Sequence, residues 1–333
     1  MDSALNRDEP NIVFIGGTGR SGTNISKALL ANHPQVAALP FEYRFIIDPD
    51  GLVDFYRAFT AAWSPFLADR RLKRLERLLT GLAAEPPLHR LAGELLRRLN
   101  RDGRTLSPRQ YHRWNLEAHL PNYRRHVQTL LARLTDFVFP AAWVGTESYA
   151  FRPQVYHAGP KPPSELARIL GDFIRAVIGD LLAQEGKSFF VEDNTWNILF
   201  ARELLDFVPS AKILHVYRDP RDVVASFLRQ RWTPHDAAQA AQWYRDIITH
   251  WFAVRKTLPP ESYFEYSLEA LVNDTERVVH AICDFTGLPF HPALLQTDLS
   301  RSRQGRWRRD LSPAEQQTVR QILGEVIEVL GYE

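Results

Sequence analysis

The stretch Gly16-Gly-Thr-Gly-Arg-Ser-Gly-Thr-Asn24 gathers backbone N–H groups, small hydroxyl side chains and one guanidinium with little bulk to shield them. It follows the apolar run Asn11-Ile-Val-Phe-Ile15 and precedes Ile25, Leu29 and Leu30, which recur at helical spacing until Asn32-His-Pro34. A glycine loop between a strand and a helix N-terminus holds phosphate or sulfate on oriented N–H groups and the positive end of the helix. Loops for nucleoside triphosphates end in Gly-Lys-[Ser/Thr]. Here Gly22 is followed by Thr23 and Asn24, so the cationic role passes to Arg20, which can fork two anionic oxygens.

A second set lies in Ile213-Leu-His-Val-Tyr-Arg-Asp-Pro-Arg-Asp-Val-Val-Ala-Ser226. Arg218 leaves the carboxyl end of a predicted strand, Asp219-Pro220 opens a helix, and Ser226 lies eight residues beyond Arg218, about two helical turns on. That spacing suits a second phosphate. It also suits a surface network in which Asp219 and Asp222 cap the helix and pair with Arg218 or Arg221. Among eleven histidines, His33 is expected to cap a helix end and His215 to sit in a buried strand. No histidine or carboxylate cluster has metal-ligand spacing, so no metal is expected.

These groups need a scaffold, and apolar runs at 11–15, 36–39, 188–191, 213–217 and 263–266 read as buried strands alternating with amphipathic stretches. That alternation predicts an α/β fold with a mostly parallel sheet and helices on both faces. From 52 to 136 the strand signals vanish. Leucines 67, 72, 75, 78, 79 and 82, then 88, 91, 95, 96 and 99, mark a helical insertion instead. Gly159-Pro-Lys-Pro-Pro163 reads as an extended turn before a helix at 165–182.

With 45% hydrophobic and 24% charged residues, the 333-residue chain is folded rather than disordered. Its net charge of +2 supplies no global pull toward nucleic acid or membrane. Locally the balance differs: residues 64–134 hold fifteen basic and six acidic groups, a charge of +9 against −7 for the remainder. Such a stretch is a solvated surface, a nucleic-acid footprint or a docking face for an acidic acceptor. Aromatics are not interleaved with the basic groups, which disfavours nucleic acid. A single cysteine, Cys283, excludes an intramolecular disulfide, and no apolar run reaches the roughly 18 residues of a membrane span. Charges at Asp2, Arg7, Asp8 and Glu9 do not fit a leader, so a cytoplasmic protein is expected.

Taken together, the loop with Arg20-Ser-Gly-Thr23 and the Arg218–Ser226 pair resemble the sulfotransferases that use 3′-phosphoadenosine 5′-phosphosulfate (PAPS). The resemblance covers about 11–45 and 188–310. It implies a three-layer, P-loop-like α/β fold with a central parallel sheet and a helical insertion. One domain would span 1–333, with 11–51 and 188–310 as cofactor core and 52–136 on the acceptor side or as a lid. It places the 5′-phosphosulfate on Gly19, Arg20, Ser21, Gly22, Thr23 and Asn24, and the 3′-phosphate on Arg218 and Ser226; the product is 3′,5′-adenosine bisphosphate. The segment Tyr263-Phe-Glu-Tyr-Ser-Leu-Glu-Ala-Leu271 is similar to the family's tyrosine-bearing strand end, implying Tyr266 near the adenine. Arg303-Gln-Gly-Arg-Trp-Arg308 resembles a degenerate late glycine-tryptophan loop, implying Arg303 and Trp307 at the nucleotide.

Sulfonate transfer also needs a base for the acceptor proton and cations for charge on the leaving phosphate. Phe41-Glu-Tyr-Arg44 is similar to the Glu-x-Arg of protein-tyrosine sulfotransferases, which makes Glu42 the expected base and Arg44 the neighbour that holds its charge state or the acceptor. Arg20 is the expected catalytic cation. Many members carry a Lys-x-Pro lysine where this chain has Phe190-Val-Glu-Asp-Asn-Thr-Trp-Asn197, so Asp193, Asn194 or Thr195 would stand in for it, Asn194 by hydrogen-bonding the acceptor or sulfonate without supplying charge. The expected acceptor is a tyrosine or other phenol, including one in an acidic peptide. A sugar, lipid or natural-product hydroxyl is the alternative, and a P-loop kinase or nucleotide-binding module is the reading from another class. No nucleic acid, membrane or metal partner is expected, and oligomeric state is not legible.

Overall fold

The structure, a computed structural model, describes residues 9–84, 87–99, 114–144, 152–299 and 304–333. In chain order the elements are β1 (Asn11–Gly16), α1 (Thr23–Ala31), β2 (Val36–Ala38), α2 (Arg44–Ile47), α3 (Leu52–Ala61), α4 (Pro65–Ala83), α5 (Pro87–Leu99), α6 (Tyr123–Leu134), β3 (Phe137–Pro140), β4 (Gln154–His157) and α7 (Pro163–Glu185). They continue with β5 (Phe189–Glu192), α8 (Ala201–Phe207), β6 (Lys212–Tyr217), α9 (Pro220–Phe227), α10 (Ala237–Arg255), β7 (Tyr263–Ser267), α11 (Leu268–Asn273), α12 (Thr275–Thr286), α13 (Trp307–Asp310) and α14 (Pro313–Val329). The chain divides into two compact units, one of residues 10–43, 186–205 and 209–333, the other built around 44–185 and 206–208.

The first unit holds a five-stranded sheet in the order β2-β5-β1-β6-β7, and every pairing in it is parallel. All five expected strands form within a residue or two of their predicted bounds. Their near-continuous apolar runs have a physical cause: a parallel sheet is covered on both faces, so no strand position can stay polar at low cost. One face buries Val13, Ile15, Leu214 and Val216 against Leu29 and Leu30 of α1 and Val278, Val279 and Ile282 of α12. On the other, His215 meets the Trp251 ring of α10 at 5.1 Å between centroids. These are the three layers of the expected α/β fold. From β1 the chain passes to β2 on one side, then returns through β5 to β6 on the other side of β1. The loop after β1 therefore stands at a topological switch point, where α/β sheets open a crevice at their carboxyl ends.

The second unit is larger than the predicted 52–136 insertion. In α4, Leu72, Leu75, Leu79 and Leu82 are buried as their spacing predicts, whereas Leu88, Leu91 and Leu95 of α5 are exposed. Phe45, Tyr123 and Phe173 form an aromatic cluster joining α2, α6 and α7. An antiparallel β3–β4 pair was not expected, because all four β3 residues are exposed and Pro140 ends the strand. Asp69 of α4, fully buried, holds this pair by accepting from Tyr156 N–H at 2.8 Å and from the Trp143 indole at 3.0 Å. Pro163 opens α7, which exceeds the predicted 165–182 at both ends.

On the second face of the sheet, Glu265 of β7 accepts from His215 Nδ1 at 2.8 Å, Trp251 Nε1 at 2.8 Å and Arg255 Nη1 at 2.7 Å. Burial alone would raise this carboxyl, yet the His215 and Trp251 hydrogen bonds and the Arg255 charge hold it at about 2, below its ordinary 4.5. A depressed carboxyl stabilises the fold above its unfolded value and loses that contribution as pH falls through the folded value. Glu265→Gln should therefore lower unfolding free energy at pH 7 by about 2–3 kcal/mol in urea titrations, a deficit that shrinks between pH 4.5 and 2.

Candidate active site

The loop after β1 can only be built from glycine where it turns. A Cβ on Gly17 would lie 2.2 Å from Ser21 Oγ and 2.8 Å from the Val216 carbonyl. Gly19 and Gly22 hold φ at +84° and +116°, and Arg20 adopts +59° between them. Gly17 N–H is tied to the Thr195 carbonyl at 2.9 Å. The N–H groups of Gly19, Ser21, Gly22, Thr23 and Asn24 have no backbone partner among the described residues, and the N-cap Gly22 brings no side chain to satisfy α1. Buried donors that stand nearby without a partner among the described residues include Ser21 Oγ and Asn194 Nδ2. This donor set, with the positive end of α1, fits an anion.

The fold joins the two motifs that lie 206 residues apart: Arg20 Nε donates to Ser226 Oγ at 3.1 Å. Beneath them Arg218 is buried and pairs with Asp222 at 3.0 Å, while Arg221 grips Asp219 through Nε and Nη2, both at 2.9 Å. Asp219 also accepts from Arg221 N–H as the cap of α9. The network expected as the ordinary reading of these residues is present, and it is buried rather than on the surface. Asp222 does more than pair with Arg218, since it accepts Gly305 N–H at 2.8 Å and Trp307 N–H at 2.9 Å. One carboxylate thus fixes the late loop to α9. The Trp307 ring is buried, with the guanidinium groups of Arg221 and Arg308 at 4.4 and 4.5 Å from its centroid.

On the other side of β1, the end of β5 supplies three consecutive polar anchors. Glu192 is buried and accepts Tyr43 N–H and Asn194 N–H, each at 2.9 Å, on Oε1. Its Oε2 accepts from Asn197 Nδ2, which also donates to the Ile15 carbonyl at 2.9 Å. Burial pushes the Glu192 carboxyl up to about 7, against the pull of these donors. Asp193 makes a 2.8 Å ion pair with Lys27 of α1, the two side chains being 4% and 16% exposed. Asn194 caps the following 3₁₀ turn, Thr195–Phe200, through Trp196 N–H.

Glu42 is half-buried directly after β2, next to the Tyr43 N–H that Glu192 holds. Arg44 opens α2 in the second unit, 3.6 Å from Asp48. Tyr266 is packed in the sheet core, 4% exposed, with its hydroxyl beside Ser26 of α1. Arg303 lies outside the described residues. The His33 ring bonds the Pro289 carbonyl and the Gln35 N–H in the turn after α1 rather than capping the helix, while His215 is a core residue as expected. Sequence reasoning missed Glu192, the Lys27–Asp193 pair and an aromatic cluster at the loop. In that cluster Trp196, Trp232, Trp243 and Phe227 pack at 5.5–6.4 Å between centroids. Trp232, half exposed, comes within 3.0 Å of where a Gly19 Cβ would stand. Three tryptophans in or near the two chemical motifs were the available signal.

A model of the sulfotransferase family matches residues 10–292, and the chain belongs to that family. No curated protein sequence matches it. Among solved structures it is similar to a sulfotransferase domain from the curacin biosynthetic pathway, with TM-score 0.50 and 15% identity over 97% of this chain and 98% of that one. It is also similar to a sulfotransferase domain from the Synechococcus PCC 7002 olefin synthase, with TM-score 0.46, 19% identity and coverage of 100% and 99%. Retinol dehydratase in complex with retinol and PAP is a third, with TM-score 0.36, 12% identity and coverage of 96% and 82%. At these identities the likeness concerns the fold.

The Lys27–Asp193 pair is buried enough that removing one partner strands the other. Lys27→Met should cost about 3 kcal/mol in denaturant unfolding, and adding Asp193→Asn should recover most of it. Additive losses would mean that the pair is not coupled.

Proposed function

We propose that the protein transfers the sulfonate group of PAPS to the hydroxyl of a tyrosine or related phenol, with Glu42 as general base. The observation that carries this reading is the Arg20–Ser226 hydrogen bond, which brings the glycine loop against α9 and so supports reading the two motifs as one site. Membership of the sulfotransferase family supports it. When bound, PAPS supplies a sulfonate already activated on a phosphate leaving group. The N–H groups of Gly19, Ser21, Gly22, Thr23 and Asn24 would hold its 5′ end, with Ser21 Oγ. Arg218 and Ser226 would hold the 3′-phosphate, while Arg20 belongs with the 5′ end; Arg303, Trp307 and Tyr266 are assigned to the nucleotide by resemblance alone. Arg20 would offset charge on the leaving oxygen. Glu42 would take the acceptor proton, with Arg44 assigned to it or to the acceptor, and Asn194 Nδ2 would donate to the acceptor or sulfonate.

The cluster of Trp196, Trp232, Trp243 and Phe227 beside Gly19 favours a flat, apolar acceptor ring over a lipid chain. The +9 charge of 64–134 favours an acceptor tyrosine set among carboxylates.

Two measurements test this. In thermal melts, 3′,5′-adenosine bisphosphate should raise Tm well above the effect of ADP with magnesium; equal or reversed shifts would favour a nucleotide-binding module or kinase instead. With labelled PAPS and matched phenol and sugar acceptors, Glu42→Gln should lower kcat by roughly 10²–10⁴-fold while bisphosphate affinity stays within about twofold. Arg218→Ala should weaken bisphosphate binding first.

A further inference from the structure

We propose that Glu192 is a positioning residue of the transfer reaction: as a carboxylate, and only as a carboxylate, it holds the segment carrying Glu42 and the Asn194 amide in register with the glycine loop. The proposal rests on the reading of Glu42 as base. Its geometry does not.

Three elements meet at this one side chain. Oε1 receives the N–H of Tyr43, the residue after Glu42, and the N–H of Asn194, both at 2.9 Å. Oε2 receives Asn197 Nδ2, and the same amide group reaches the Ile15 carbonyl at the end of β1. Glu192 therefore links the exit from β2, the turn after β5 and the last residues before the loop. Each partner is an N–H donor. A protonated carboxyl would turn an O–H toward the Asn197 amide, which already faces it with a donor, and would leave that O–H buried without an acceptor. An amide in its place would oppose the Asn197 Nδ2 in the same way. Rotating Asn197 to present Oδ1 would set that oxygen against the Ile15 carbonyl.

The surroundings leave Glu192 close to a switching point. Asp193 adjoins it and is engaged by Lys27; Glu42 and the Tyr43 phenol lie along the β2 exit, and Arg20 lies in the loop beyond β1. Strands β1 and β2 and the turn Thr195–Phe200 carry no titratable side chain. Burial raises the carboxyl to about 7 and the Asp193 charge adds to the rise, while the Asn197, Tyr43 and Asn194 donors oppose both. As pH falls through that value Glu192 takes up a proton, the three-way tie loses its anion, and Glu42 and Asn194 lose their fixed position.

The test uses the full chain with labelled PAPS and 4-methylphenol as probe acceptor, a phenol that stays protonated throughout, followed as kcat between pH 5.5 and 8.5. Wild type should show an acid limb near pH 7. In Glu192→Gln, kcat at pH 8 should fall roughly tenfold to a hundredfold and that limb should disappear, with bisphosphate Kd within about twofold. Asn197→Ala, which removes one donor to the anion, should keep the limb and move it to higher pH. Carbon-13 NMR of labelled glutamate gives a readout without turnover: one carboxyl should titrate near 7 in wild type and be missing from Glu192→Gln. An unchanged limb in both variants, or no glutamate titrating between about pH 6 and 8, overturns the proposal. Failure of the base reading is separate, since it appears as activity retained in Glu42→Gln while the NMR titration of Glu192 is unaffected.

Discussion

The parallel seating of β1 between β5 and β6 is the constraint on which the candidate site depends. Phe14 lies opposite Glu192 and Gly16 opposite His215, so the parallel strands run out in steps at the same edge of the sheet, where Gly17, Asp193 and Arg218 follow them. The edge has little room for side chains on the backbone that turns there. Gly16 would drive a Cβ into Ile198 N at 2.7 Å, and Gly17 is closed off by Ser21 and Val216. The loop must therefore offer backbone N–H groups, the kind of donor that suits an anion.

Charge at this edge is arranged in pairs. Arg218 is held by Asp222, Arg221 by Asp219, Lys27 by Asp193. A chain with net charge +2, and −7 outside residues 64–134, does not present its site as an open basic surface. Its cations are fixed by carboxylates that themselves hold backbone N–H groups: Asp222 holds the late loop, Asp219 the cap of α9. The cost of ordering these arginines is met during folding.

Five strands were legible because each is a short apolar run closed by glycine or a polar turn, and parallel burial leaves that mark on composition. The loop and the Arg218–Ser226 spacing were legible because local chain geometry alone dictates them. Glu192 was not. It sits at the end of Phe189-Phe-Val-Glu192 like any strand-ending acid; its partner Tyr43 is 149 residues away in sequence, and Ile15 is tied to it only through Asn197. Lys27 was equally hidden, since on α1 it reads as the polar face of an amphipathic helix until Asp193 is brought beside it. The tryptophans converge only when the turn after β5, the segment after α9 and α10 pack together. Tyr266 packs in the core with Val216 and Leu268, a burial that follows from the alternation of β7 and that its motif did not announce.

Asp222 carries the argument one step further. Its Oδ2 is shared between Arg218 Nη2 at 3.0 Å and Gly305 N–H at 2.8 Å, while Oδ1 takes Trp307 N–H. A cation and a loop thus draw on one oxygen. Any anion that attracts Arg218 weakens its hold on that oxygen and leaves more of the carboxylate to the loop N–H groups, so occupancy near Arg218 and the seating of 305–307 are linked through a single side chain. Because the Trp307 ring holds the Arg221 and Arg308 guanidinium groups at 4.4 and 4.5 Å from its centroid, the loop cannot shift far without breaking those contacts. The linkage therefore tightens an existing position and does not require a large closure.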